Sequence, residues 1–156
     1  MFLGHNEESL RYLKEYEKKL KTLDRPDPNR TYRIGQAYWI NGFEEEAEQY
    51  FTTGLEQLNK MIELSRYDLH EEIYTYYSIA AIYAIRGDKD KAYEYLELVN
   101  QRPRMSIWMI RELKNNPLFD SIRAEPEFQQ IVQNIEAKVQ AEHERVRRWL
   151  EEEGML

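Results

Sequence analysis

Apolar positions recur along this chain at spacings of three and four, and nowhere do they alternate in twos as a half-buried strand would require. Leu10, Leu13, Leu20 and Leu23 fall on one stripe with Tyr16. That stripe predicts an amphipathic helix from Asn6 to Leu23, with Asn6 as cap and Glu7 and Glu8 at the positive end of the dipole. Arg25-Pro26-Asp27-Pro28 breaks the pattern, and Asp27 followed by Pro28 restarts it as cap plus first-turn proline. The second helix runs from Pro28 to Ile40 and stops at Asn41-Gly42, and the third runs from Glu44 to Arg66. Asp68-x-x-Glu71 has the outline of a capping box, opening a fourth helix that ends at Arg86-Gly87. Asp88 caps a fifth, which stops before Pro103. Ser106 starts a short helix through Leu113, ended by Asn115-Asn116-Pro117, and a compact turn carries Leu118, Phe119 and Ile122. Pro126 opens a last helix reaching Glu153. The pattern predicts one all-α domain spanning residues 1–156.

Self-similarity organises the middle of the chain. At an offset of 45 residues, Tyr32 matches Tyr77, Ile34 matches Ile79, Gly35 matches Ala80 and Tyr38 matches Tyr83. Gly42 then matches Gly87, Ala47 matches Ala92, Tyr50 matches Tyr95, and Phe51 matches Leu96. Small residues stand where two helices must approach closely, large ones fill the space between them, and glycines hold the turns.

Ile34-Gly35-x-x-Tyr38 with Ala47-x-x-x-Phe51, and Tyr76-x-x-Ile79-Ala80-x-x-Tyr83 with Ala92-x-x-x-Leu96, resemble the tetratricopeptide repeat family. The resemblance implies a right-handed α-α superhelix of about two repeats. Hairpin 1 would span residues 28–66 and hairpin 2 residues 68–102, with residues 6–23 as a capping helix and 106–153 as a C-terminal cap and long helix. The offset of 45 exceeds the family period of about 34 by some three helical turns, which places an insertion around residues 59–69. Trp108, Asn116-Pro117-Leu118-Phe119-Asp120, Ile122-Arg123 and Glu125-Pro126-Glu127-Phe128 are similar to a tail that follows such repeats in multidomain bacterial signalling proteins. That likeness implies a cap sealing the last repeat and a larger regulatory parent protein.

Composition narrows the functional classes. Acids outnumber bases 29 to 22, for a net charge of −7, so the chain lacks the cationic surface from which nucleic-acid binding draws its affinity. There are no cysteines, which removes disulfides, thiolate metal sites and cysteine nucleophiles. His5, His70 and His143 stand in no metal-ligand spacing, and the isolated glycines form no phosphate loop. No apolar run approaches a membrane span. The expectation is therefore no enzyme, no cofactor, no metal, no nucleic acid and no membrane insertion, with a cytoplasmic setting favoured over a periplasmic one.

Two surfaces remain as candidates. In the tetratricopeptide family the first helix of each pair lines a concave groove, so the resemblance implies a partner-binding face formed by Asn29, Tyr32, Arg33, Gln36, Trp39, Tyr74, Tyr77 and Ser78. The expected ligand is a peptide or helix of a partner protein; Gln36 and Ala81 stand where the family's carboxylate clamp for chaperone tails needs Asn, which counts against that ligand class. The second surface is a heptad seam on the last helix, where Val132, Ile135, Val139, Val146 and Trp149 recur at alternating steps of three and four, interrupted by Glu142. This seam offers self-association, making a homodimer or a spacer the alternative role.

Overall fold

The computed structural model describes residues 6–23, 28–64, 69–103 and 105–156, with side chains at 7–19, 30–64, 72–103 and 105–156. The described residues form seven α-helices and one short 3-10 turn, and they contain no strand. The helices are α1 (Asn6–Leu23), α2 (Pro28–Ile40), α3 (Glu44–Glu63), α4 (Leu69–Ile85), α5 (Lys89–Asn100), α6 (Ile107–Asn115) and α7 (Pro126–Glu152), with the 3-10 turn at Pro117–Phe119. The expected caps at Asp27 and Asp68, and Glu71 of the capping box, lie outside the described residues or side chains.

The duplication seen in the sequence is present in the backbone. α2 packs on α3 and α4 on α5, and the two hairpin turns use the same hydrogen bonds. Gly42 N–H donates to the Trp39 carbonyl and Gly87 N–H to that of Ala84, while Phe43 N–H and Asp88 N–H reach back to Tyr38 and Tyr83. Both glycines are left-handed, at φ +80° and +77°, a conformation that costs glycine nothing and a Cβ-bearing residue about 1–2 kcal/mol. Gly35 lets α2 approach α3 closely: a Cβ there would stand 2.8 Å from two ring carbons of Phe51.

The core runs from Phe51, Leu55 and Leu58 of α3 through Ile79 to Ile82 of α4 and Leu96 and Val99 of α5. It continues into Leu113, Leu118, Phe119, Ile122, Phe128 and Ile135, so the C-terminal elements complete one continuous interior. α6 extends two residues beyond the expected end at Leu113. The Arg123 guanidinium explains the extension, because it donates to the carbonyls of Leu113, Lys114 and Asn116 and so satisfies the last turn. Lys138 of α7 donates in the same way to the carbonyl of Asn100 at the end of α5. α7 is 27 residues long, about 40 Å at 1.5 Å per residue, and only its first half packs on the body.

Candidate functional site

The expected groove is filled by the chain itself. Tyr32, Gln36, Tyr77 and Ser78 are each at most 4% exposed. The turn between α6 and the 3-10 segment brings Asn116, wholly buried, to the polar atoms of Tyr32, Gln36 and Tyr77. Gln36 Nε2 donates to Asn116 Oδ1 at 2.8 Å, and Leu118 N–H donates to the same oxygen at 3.1 Å. Asn116 Nδ2 donates to the Tyr32 hydroxyl at 3.0 Å and to the Tyr77 hydroxyl at 2.5 Å. The Tyr77 hydroxyl donates to a Glu112 carboxylate oxygen at 3.2 Å. One amide thus uses both donors and both acceptor directions of its oxygen on groups drawn from both hairpins and its own turn. Burial pushes the Tyr32 and Tyr77 hydroxyls well above the ordinary tyrosine value, so both remain neutral.

This corrects the expectation that these four residues face a partner. Aromatic and amide side chains at such positions match an interaction surface equally well whether the ligand belongs to another chain or to the same one. Asn116 lies 80 and 84 residues from Gln36 and Tyr32, beyond any local pattern.

Other expected residues remain accessible. Arg33 is exposed, and Trp39 is half-buried with its ring tilted against Phe51 at 6.4 Å. Tyr74 is half-buried and stacks on Trp108 of α6 at a centroid distance of 4.3 Å, with the rings 16° from parallel. Burial raises the Tyr74 hydroxyl, while the nearby positive charge of Arg33 opposes that rise. Arg33, Tyr74 and Trp108 therefore form an open rim beside the closed groove. Asn29 belongs to α2, but its side chain lies outside the described residues.

The seam on α7 also divides. Val132 and Ile135 are buried in the core, so these two are docking contacts rather than free surface, and Val139 is half-buried. Val146 and Trp149 remain exposed, and every residue from Gln140 to Trp149 faces solvent. Arg145 pairs with Glu142 and Arg147 with Glu151 along this free stretch. Such exposed pairs contribute a few tenths of a kcal/mol each.

A third feature went unread in the sequence. Tyr38 stacks on Tyr50 at 5.3 Å and 14°, and at the offset of 45 residues Tyr83 stacks on Tyr95 at 6.0 Å and 19°. A lysine ammonium covers each stack, Lys14 at 4.8 Å from the Tyr38 ring and Lys91 at 4.9 Å from that of Tyr83. The four tyrosines were visible as matched positions, but their pairing across each hairpin was not.

Among the described residues no group of His, Asp and Glu side chains is arranged to hold a metal ion. No described helix is long and apolar enough to cross a membrane. No family model matches the chain, and neither a curated protein nor a solved structure matches it.

Proposed function

We propose that this protein is a non-catalytic interaction scaffold of tetratricopeptide type, part of a larger bacterial regulatory protein, which binds a peptide or helix of a partner. The observation that carries this reading is the half-exposed Tyr74–Trp108 stack with Arg33 beside it, at the edge of a duplicated helical hairpin. Tyr, Trp and Arg are the residue types that dominate binding hot spots, and a stacked pair held between α4 and α6 presents them with little ordering cost. The functional face is thus the rim left open by the C-terminal cap, not the floor beneath it. The test is affinity capture with the Arg33→Ala, Tyr74→Ala, Trp108→Ala triple variant. Loss of the partners retained by the native chain supports the rim, and an unchanged set refutes it.

A second reading rests on α7, whose ten consecutive exposed residues carry Val146 and Trp149. There the distal helix acts as a dimerisation or spacer element. Sedimentation of the full chain at high concentration decides it, since a monomer throughout excludes pairing.

A further inference from the structure

The two hairpin turns share their hydrogen bonds but not their chemistry. Asn41-Gly42 in the first stands where Arg86-Gly87 stands in the second, 45 residues on. Asn41 is the only asparagine of the sequence that is followed by glycine. That dipeptide carries a latent reaction. The glycine nitrogen, with no side chain beside it to shield it, can attack the side-chain carbonyl carbon of the asparagine. A carbon–nitrogen bond forms, the side-chain amide leaves as ammonia, and a cyclic succinimide results. Water then opens the ring at either carbonyl, leaving aspartate or isoaspartate. An arginine at the same place offers no such carbonyl, so the second turn is inert.

The first turn is open to water at this point. Gly42 is exposed, and a Cβ placed on it would meet no atom within 4 Å. Hydrogen bonding is what restrains the reaction. The Asn41 amide is half-buried and turned back along α2, its Nδ2 donating to the Ala37 carbonyl at 2.8 Å. Gly42 N–H donates to the Trp39 carbonyl at 2.9 Å, so the attacking nitrogen is held with its proton engaged. Both bonds must open before nitrogen and carbonyl carbon can join. The product does not restore the turn. Aspartate has no donor for the Ala37 carbonyl and sets a negative charge at the negative end of the α2 dipole. Isoaspartate adds a methylene to the main chain just where Gly42 and Phe43 reach back to Trp39 and Tyr38.

We propose that Asn41 is a deamidation site gated by the α2–α3 turn: closed in the folded protein, converted when the first hairpin opens, and weakening that hairpin once converted. The first hairpin thereby keeps a permanent chemical record of time spent open, and the second keeps none.

The full chain is incubated at mildly alkaline pH, with and without guanidinium, and conversion is followed by peptide mapping that resolves isoaspartate from aspartate. Asn41 should convert at least tenfold more slowly in native buffer than in guanidinium, as expected when two ordinary hydrogen bonds must open together. In guanidinium it should convert faster than every other asparagine of the chain. Equal rates in the two conditions overturn the gate, and a denatured-state rate no higher than that of Asn59 or Asn134 overturns the site. Asn41→Asp tests the consequence. Deuterium exchange at the Gly42 and Phe43 amides should rise about tenfold, while Gly87 and Asp88, which make the same two bonds in the second hairpin, stay as they were. No change at Gly42 and Phe43, or an equal rise in both turns, overturns the weakening of the first hairpin. Should Asn41→Asp fail to fold, Asn41→Ser, which removes the donor without adding a charge, takes its place.

Discussion

Replacing Asn116 by alanine removes the hub that joins the two hairpins to the C-terminal cap. The Gln36 amide, 4% exposed, and the buried Leu118 N–H both lose the oxygen they donate to. The Tyr77 hydroxyl keeps Glu112, and Tyr32 keeps a hydrogen bond with Tyr77, so the tyrosines suffer less. Each stranded buried donor costs about 1–3 kcal/mol, and the small void adds to that. The sum is about 3–5 kcal/mol, a large share of the 5–15 kcal/mol that holds a typical domain together. For a chain of this size the melting temperature should fall by about 10 °C. Urea unfolding followed by circular dichroism measures the loss, with an unchanged denaturant slope showing that the same body unfolds. Gln36→Leu in the same background completes a double-mutant cycle. With its donor gone, the second change should cost about 1–2 kcal/mol less than it does alone. A loss below about 1 kcal/mol for Asn116→Ala, or strict additivity in the cycle, would refute the hub.

Four further expectations follow from local geometry. Gly35→Ala sets a Cβ against the fully buried Phe51 ring and should cost about 1–3 kcal/mol. Gly54→Ala meets only ordinary contacts from 3.6 Å outward, so it should be neutral or stabilise by up to ~1 kcal/mol; chemical melts showing the reverse order contradict the close approach. Glu125 accepts from Lys89 and Tyr93, and these bonds, the lysine's first, hold its carboxyl below the ordinary 4.5. Its contribution is therefore full above that pH and is lost as the pH falls through the lowered value, so Glu125→Gln should flatten the stability profile below about pH 4.5. Deleting residues 141–156 removes the largely exposed end of α7 and the four residues beyond it: ellipticity should drop with the lost turns while the melting temperature moves by less than about 2 °C.

The helices were legible because their stop signals are local. Gly42 and Gly87 mark the hairpin turns by a conformation that glycine readily supplies, and the stripe from Leu10 to Leu23 gave the bounds of α1. The packing partners of each face were not legible. Tyr32, Gln36 and Tyr77 carry the same chemistry whether they meet Asn116 or another protein. Val132 and Ile135 keep the same heptad spacing whether they dock on the body or on a second copy. The nearest available signal for the closed groove was Asn116-Pro117-Leu118-Phe119, a helix stop followed at once by two large apolar side chains that a solvent-facing loop would not carry. For the tyrosine stacks the available signal was the recurrence of Tyr38 and Tyr50 as Tyr83 and Tyr95 at the same offset.

The Asn116 hub also sets an order of events during synthesis. Its partners Tyr32 and Tyr77 are made first, and the amide that satisfies them follows Tyr77 by 39 residues. At 5–20 residues per second that interval is roughly two to eight seconds. Both hairpins can form in that time, yet the polar face between them stays wet until the turn arrives to close it. The C-terminal cap therefore acts as the final step of assembly, and a nascent chain halted before it presents to the cell the face that the finished protein keeps inside.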